Sequence, residues 1–309
     1  MEAGRDRAQA AAHTPPSGIL LVDKPGGITS HDVVSRARRA LGTRKVGHAG
    51  TLDPMATGLL ILGVGASTRL LTWIVGADKT YEATIRLGAA SSTDDAEGQL
   101  GPEASATALG EATDERISAG VAALTGELLQ RPSSVSAIKV DGKRAYARVR
   151  EGEDVVLEPR SVTVSRFEVL GIERGSRATD VRAVVECSSG TYIRALARDL
   201  GEALGVGGHL TALRRTRIGP FEVAGAVRLE DDLPAALMDA AAAASRLFPV
   251  VVLDADQTRD LAHGKRVRID AADGAPVGAL SPDGRLLGLV DLSGGVARVL
   301  VNFPPEASS

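Results

Sequence analysis

The amino-acid sequence predicts an α+β fold with a small additional β domain at the C-terminus. Apolar residues alternate with polar ones over 80–87, which is the period of a half-buried strand. Helical spacing of apolar residues recurs at about 31–41 and again at about 191–204. From Phe248 onwards, short apolar runs alternate with Asp-Gly and Gly-Gly turns, which is typical of a small β domain. The 309 residues suffice for one large core and a small second domain.

The N-terminal half is predicted as a tail, a strand, a helix, a loop and a buried strand. Residues 1–17 lack periodicity and are expected to form a disordered tail. A strand at 19–22 ends at a Pro-Gly-Gly turn, and Thr29 or Ser30 can cap the helix at 31–41. The glycine-rich segment 47–58 lacks an apolar period and predicts a loop before the buried strand 59–64.

The later elements continue the mixture of helices and strands. The sequence predicts helices at about 67–75 and 114–125, a loop at 98–113, and strands near 162–170 and 181–187. Residues 131–160 mix proline, glycine and charge, and are expected to form an exposed insertion. The helix at 191–204 places Arg194 in its first turn, where a cation opposes the helix dipole. Residues 210–217 form a basic cluster, and the alanine-rich stretch 235–245 leads to the C-terminal β segment.

Charge is segregated along a chain whose formal net charge is −3. Residues 80–130 carry 2 basic and 9 acidic side chains, whereas residues 131–220 carry 16 and 11. Arginine dominates the basic segments, and its planar fork suits phosphate groups. The pattern is compatible with a basic face for nucleic acid, but on charge alone solvated helix surfaces are the simpler explanation.

Several classes of protein are excluded by residue counts. Cys187 is the single cysteine, so a disulfide framework and a cysteine-based zinc site are ruled out. The five histidines have no helical metal-ligand spacing, so we expect no metal and no cofactor. No apolar run approaches the roughly 20 residues of a membrane span, and the N-terminus lacks a secretory signal. We therefore expect a cytoplasmic protein.

Three side chains at element ends are candidates for chemistry. Asp53 precedes Pro54 in the glycine-rich loop, which keeps it out of the helical region and presents its carboxylate. A turn-forming role of Asp53 explains the same spacing. Tyr81 and Tyr192 lie at the ends of a strand and a helix in a chain with 3% aromatic residues. Ordinary packing of either ring remains an alternative.

Five motifs in order resemble the TruB family of bacterial tRNA pseudouridine synthases. They are Lys24-Pro25 with Gly27-Ile28-Thr29-Ser30, GHAGTLDPMATGLLILGVG at 47–65, KTYEATIRLG at 79–88, SGTYIRALARDLG at 189–201, and LRRTRIGPF at 213–221. The resemblance covers about 18–221 and implies a mixed, largely antiparallel sheet flanked by helices. It divides the chain into a catalytic domain at 18–240, with the RNA-contacting insertion 131–160, and a C-terminal domain at 248–305 that resembles a PUA RNA-binding domain.

The resemblance implies isomerisation of uridine 55 in the T loop of tRNA to pseudouridine. It makes Asp53 the catalytic aspartate and Arg194 the arginine that favours and orients its ionised form. Tyr81 is the ring that stacks on the base, and whether it also removes the proton from C5 is left open. Tyr192 and Leu213 would line the uracil pocket, and His48 would fill the space left by a flipped base. Lys24 is assigned to substrate binding, through a phosphate, or to structure.

The resemblance also implies a T-arm footprint without a guide RNA, on a chain expected to be a monomer. The basic side chains assigned to phosphate contacts are Arg36, Arg38, Arg39, Arg44, Lys45, Arg214, Arg215 and Arg217. The sequence departs from the family at Ser92, where an aspartate is usual, and in the insertion at Ser133 and Val135, where proline and tyrosine are usual. An RNA-binding module without catalysis and a guide-RNA-dependent enzyme are the competing hypotheses.

Overall fold

The computed structural model describes residues 16–133, 139–140, 143–144 and 157–303. Its strands are β1 (Gly18–Lys24), β2 (Val46–Ala49), β3 (Thr57–Val64), β4 (Lys79–Leu87), β5 (Gly126–Gln130), β6 (Lys139–Val140), β7 (Lys143–Arg144), β8 (Arg160–Arg174), β9 (Thr179–Cys187), β10 (Gly208–Ile218), β11 (Phe221–Glu222), β12 (Val250–Val252), β13 (Val267–Arg268), β14 (Gly274–Leu280), β15 (Leu286–Ser293) and β16 (Val296–Asn302). Its α-helices are α1 (Ser30–Ala40), α2 (Leu71–Gly76), α3 (Ala106–Glu111), α4 (Asp114–Ala123), α5 (Ile193–Leu204), α6 (Ala240–Leu247) and α7 (Ala255–Ala262).

Nine strands of the described residues form one mixed sheet in the order β1-β3-β10-β4-β9-β8-β5, with β2 paired to β3 and β11 to β10. Strands β3 and β10 pair in parallel, and every other pair in this sheet is antiparallel. A second sheet of five strands follows in the order β12-β14-β15-β16-β13. The predicted α+β fold with a largely antiparallel sheet and a C-terminal β unit is confirmed.

The main core lies between one face of the sheet and the helices that cover it. On β4 the side chains of Tyr81, Ala83 and Ile85 are buried on the inner face, as the two-residue period requires. Helix α5 buries Leu196 and Leu200 against this face. Gly205 ends α5 in the left-handed conformation, a common helix stop. The sheet and α5 together fix the positions of Tyr81 and Arg194.

A second core is shared by the two sheets. Ile19 and Leu59 of the large sheet belong to the same buried cluster as Leu286, Leu289 and Phe303 of the C-terminal unit. The rings of Trp73 and Phe248 also meet edge to face, with centroids 5.8 Å apart. The C-terminal sheet is therefore joined to the large sheet through continuous apolar packing.

Three regions differ from the sequence prediction. Residues 210–217 were predicted only as a basic cluster, but they belong to β10 in the middle of the sheet. Residues 47–49, predicted as loop, belong to strand β2, so the true loop covers 50–56. Helix α3 likewise lies within the predicted loop 98–113. Val135 lies outside the described residues.

Gly58 permits the close contact between β3 and β10. Its φ is +97°, and a Cβ atom placed on it would lie 2.2 Å from the carbonyl oxygen of Arg215. We expect Gly58→Ala to lower the free energy of unfolding by about 3 kcal/mol or more, through steric overlap and backbone strain. The control is Gly110→Ala on exposed α3, where a Cβ meets nothing within 4 Å. Equal urea midpoints for these two variants would contradict this prediction.

Candidate active site

Asp53 lies in the loop between β2 and β3, at the wall of a cavity of about 250 Å³. Ligand pockets usually measure roughly 300–1,000 Å³, so this cavity suits a fragment the size of a nucleobase. The cavity is bounded by the loop, by β4 and β10, and by the start of α5. The lining side chains include Asp53, Lys79, Tyr81, Tyr192, Arg194, Leu213 and Arg215. Four separate motifs of the sequence therefore meet at one place.

Arg194 bridges two carboxylates from different loops. Its Nε lies 3.1 Å from Oδ2 of Asp53, and its Nη2 donates to Oδ1 of Asp53 at 3.3 Å. Its Nη1 lies 3.2 Å from Oδ2 of Asp95 and donates to the carbonyl oxygen of Thr93 at 3.0 Å. The Arg194 and Asp95 side chains are 5% and 3% exposed, whereas Asp53 is 35% exposed. The guanidinium is thus buried and oriented, and it presents Asp53 to the cavity.

Burial and charge act in opposite directions on Asp53. Burial raises the pKa of the Asp53 carboxyl above its ordinary value, and the guanidinium of Arg194 lowers it. The second carboxylate, Asp95, raises the pKa again, while Lys24 and Arg215 lower it. The net direction is upward. The sequence-based expectation that Arg194 favours the ionised form is correct for that pair, but burial outweighs it.

Buried donors fix the backbone of the Asp53 loop at successive residues. Arg215, 1% exposed, donates to the carbonyl oxygens of Gly50, Thr51 and Leu59. The hydroxyl of Ser30 donates to the carbonyl of Leu52, at 3.1 Å, and accepts from its N–H, at 2.9 Å. The bonds to Gly50, Thr51 and Leu52 position the residues on the N-terminal side of Asp53, and the bond to Leu59 ties Arg215 to β3.

Lys24 fixes the C-terminal side of the same loop. Its ammonium donates to the carbonyl oxygens of Pro25, Ile28 and Pro54 at 2.9, 2.7 and 3.2 Å. Burial lowers the pKa of Lys24 to about 8. Each cation is enclosed and bonded to carbonyls of the protein, which favours the structural role for Lys24. Substrate binding by Lys24 and phosphate contact by Arg215 stay predictions.

Tyr81, Tyr192 and Leu213 lie around the cavity, as the resemblance implied. Tyr81 is 7% exposed, and burial raises the pKa of its phenol, with the nearby Arg215 guanidinium opposing the rise. The rise favours the neutral phenol, whose ring can stack on a base. Leu213 and Tyr81 share the inner face of the adjacent strands β10 and β4.

His48 lies outside the residues that line the cavity. It is partly buried on β2, and its ring meets the ring of His31 edge to face with centroids 5.6 Å apart. Its position next to the loop that carries Asp53 is compatible with contact to a substrate, and its role stays a prediction.

The other predicted phosphate contacts lie on or near the surface. Arg36, Arg39, Arg44 and Lys45 are exposed on α1 and the turn that follows. Arg214 forms two hydrogen bonds with Asp23, at 2.9 and 2.7 Å, and is 38% exposed. These side chains remain accessible to a polyanion.

Two site residues were missed from the sequence. Asp95 was noticed only as part of a departure from the family pattern, yet it completes the ion pair of Arg194. Lys79, 6% exposed, lines the cavity and donates to the carbonyls of Val75 and Ala77. Within the described ranges, no cluster of three or more histidine, cysteine or carboxylate side chains could hold a metal. No helix in those ranges is long and apolar enough to span a membrane.

The sequence matches three family models along its length. Residues 38–193 match the N-terminal domain of the TruB family pseudouridylate synthases. The chain belongs to the TruB family. Residues 194–256 match the tRNA pseudouridylate synthase B C-terminal domain, and residues 248–304 match the C-terminal region of tRNA pseudouridine synthase II.

Individual proteins of the TruB family are similar to this chain over nearly its whole length. It is 60% identical to tRNA pseudouridine synthase B of Leifsonia xyli, with 94% of this chain and 97% of that protein covered. It is 55% identical to the protein of the same name from an Arthrobacter species, with the same two coverages. A solved H/ACA RNP bound to a substrate RNA containing 2′-deoxyuridine contains a chain that matches with a TM-score of 0.69 and 25% identity, covering 94% of this chain and 86% of that one.

Proposed function

We propose that this TruB family member isomerises uridine 55 in the T loop of tRNA to pseudouridine. The observation that carries the proposal is the Asp53 carboxylate, held by Arg194 at the wall of a cavity of nucleobase size. Relatives named tRNA pseudouridine synthase B, at 55–60% identity over almost the whole chain, support tRNA as the substrate.

The reaction breaks the bond from N1 of uracil to C1′ of the ribose and forms a bond from C5 to C1′. The hydrogen on C5 is lost, and N1 gains a proton, so atoms and charge balance. Asp53 starts the reaction at the sugar, by adding to C1′ or by removing a sugar proton. Tyr81 stacks on the base while it turns, and Tyr192 and Leu213 line the space in which it turns. Arg194 holds the carboxylate in orientation throughout.

The target uridine must leave its stack before it reaches Asp53, and unstacking costs a few kcal/mol. In this proposal His48 occupies part of the space left in the RNA. Arg36, Arg39, Arg44, Lys45 and Arg214 contact the phosphates of the T arm. The catalytic domain is assigned to 18–240 and the PUA-like domain to 248–305, the latter giving further RNA contacts.

The chain is proposed to act alone, as a cytoplasmic monomer without a guide RNA. The higher identity to a relative named tRNA pseudouridine synthase B, 60% against 25% for the chain of the solved ribonucleoprotein, favours this over the guide-dependent hypothesis. The presence of Asp53, Tyr81 and Arg194 around one cavity counts against a purely RNA-binding module.

The proposed function is tested by tritium release from a T-arm stem-loop that carries 5-tritiated uridine. Purified wild-type protein, without added RNA, should release tritium from the T-loop uridine because C5 loses its hydrogen. The control RNA has cytidine at position 55. Tight binding of the T arm without release would support the RNA-binding module instead, and release that depends on an added guide RNA would support the guide-dependent enzyme.

The pH dependence of the reaction should report the ionisation of Asp53. Because burial raises the pKa of this carboxyl, the single-turnover rate should fall on the acid side at a pH above the ordinary aspartate range. Asp95→Asn removes the charge that raises this pKa, so the acid limb should move to lower pH. Rate profiles of the two proteins from pH 4 to 8 check the sign. A limb that moves to higher pH contradicts the electrostatic account.

A further inference from the structure

The start of helix α5 lacks an ordinary cap, although it carries Arg194. The N-cap residue is Tyr192, whose side chain makes no capping hydrogen bond. The first turn contains no acidic residue and places the Arg194 cation near the positive end of the helix dipole. Both features disfavour an ordered first turn, so the position of Arg194 needs support from elsewhere in the molecule.

Gln130, the last residue of β5, supplies two hydrogen bonds at this point. Its Oε1 accepts from the backbone N–H of Tyr192 at 2.8 Å, and its Nε2 donates to the carbonyl oxygen of Tyr192 at 3.0 Å. Gln130 is 3% exposed, so both bonds are shielded from water. The side-chain amide therefore pairs with the helix start as a neighbouring strand would.

The residues that follow Gln130 contact the other side of the arginine. The hydroxyl of Ser133 donates to the carbonyl oxygen of Thr93 at 3.2 Å, which also accepts from Arg194. Arg198 of α5 donates to the carbonyl oxygen of Arg131 at 2.8 Å. The segment 130–133 thus joins helix α5, which carries Arg194, to the loop whose Thr93 and Asp95 bind the Arg194 guanidinium.

We propose that Gln130 is a positioning residue of the reaction, because it holds the Tyr192 backbone and thereby aligns Arg194 with Asp53. The inference rests on the proposed function and extends it to a residue that touches neither substrate nor Asp53. A displacement of the carboxylate by about 1 Å can slow a reaction about a hundredfold. Loss of Gln130 should therefore lower the rate of the chemical step and leave tRNA affinity unchanged.

The test uses Gln130→Met, which keeps the length of the side chain and removes both hydrogen bonds. Single-turnover tritium release at saturating enzyme gives a rate constant that an inactive fraction of protein does not change. We expect this constant to fall about tenfold to a hundredfold, with the Kd for the T arm within about threefold of wild type. We also expect the acid limb to move to higher pH, because a displaced Arg194 lowers the pKa of Asp53 less.

Two further variants keep the test decisive. Gln130→Glu keeps the acceptor for the Tyr192 N–H and removes only the donor to the Tyr192 carbonyl, so we expect a smaller loss of rate than for Gln130→Met. It takes the place of Gln130→Met in the test if that variant does not fold. Gln257→Met is the matched control, because Gln257 also bonds two backbone groups, the N–H of Asp254 and the carbonyl of Arg268, but in the C-terminal unit. Its rate constant should equal that of wild type.

The result that overturns the inference is a wild-type rate constant and an unmoved acid limb in folded Gln130→Met or Gln130→Glu. A loss confined to Kd overturns it too, since that assigns Gln130 to substrate binding. If wild-type protein releases no tritium, the proposed function itself is wrong. That result is distinct from a wild-type rate in the Gln130 variants, which contradicts only the role of Gln130.

Discussion

Asp53→Asn is expected to lower the rate of pseudouridine formation on the order of 10⁴-fold or more, while the T arm still binds. Asparagine has nearly the same shape, but it can neither add to C1′ nor accept a proton from the sugar. Tritium release under single-turnover conditions measures the loss, and a filter-binding Kd within about threefold of wild type shows that the RNA site is intact. Equal losses of rate and affinity would refute the assignment of Asp53.

The same substitution has an expected effect on stability. A carboxyl whose pKa is higher in the folded than in the unfolded state subtracts stability when the pH lies above that pKa. At neutral pH an unfolded aspartate is ionised and the raised pKa makes that ionisation less favourable in the folded state, so Asp53→Asn should melt at the same temperature as wild type or higher. Thermal unfolding at pH 7 checks this. A marked fall in Tm would show that the Asp53 and Arg194 pair stabilises the fold instead.

Arg215→Met is expected to lower the free energy of unfolding strongly, and also to lower the single-turnover rate. The substitution leaves the buried carbonyls of Gly50, Thr51 and Leu59 without the donors that Arg215 supplies. We expect the free energy of unfolding to fall by about 3–5 kcal/mol, and the Asp53 loop to lose its fixed position. Urea unfolding gives the first quantity, and the single-turnover rate at a temperature where the variant is folded gives the second.

The neighbouring residue provides the matched control. Arg214 forms a partly exposed ion pair with Asp23, and such pairs contribute about 0–1 kcal/mol. Arg214→Met should therefore unfold near the wild-type midpoint, and it should weaken tRNA binding and reduce its dependence on salt. The opposite pattern, with tRNA binding lost in Arg215→Met and stability lost in Arg214→Met, would show that Arg215 contacts RNA phosphates, as the sequence predicted.

The sequence predicted those elements in which one face is apolar. Strand β4 and helix α5 were recognised because their buried positions follow a period of two and a helical period. Strand β10 was missed because three arginines interrupt the apolar pattern of its second half. One of them, the inward-facing Arg215, has its charge satisfied by backbone carbonyls of another segment. Periodicity alone cannot detect a buried cation whose partners are remote in sequence.

The reactive side chains of the site were predicted because they lie within sequence motifs. The side chains that hold them in place were missed because they come from distant segments of the chain. Asp53, Tyr81 and Arg194 were selected from three motifs, and the fold brings them to one cavity. Asp95 bonds Arg194 from 99 residues away along the chain. Gln130 bonds Tyr192, at the start of the same helix, from 62 residues away. Their contacts depend on the packing of α5 against the sheet, so no local pattern reveals them.

The shared core of the two sheets has a consequence for exchanging parts between members of the family. Leu286, Leu289 and Phe303 share one buried cluster with side chains of β1 and β3, so the C-terminal unit is matched to one particular surface. A chimaera that takes this unit from a relative must also take the facing positions, or it creates voids and overlaps at the junction. Natural variation at these positions is therefore expected to be correlated between the two ends of the chain, as it is within a single core.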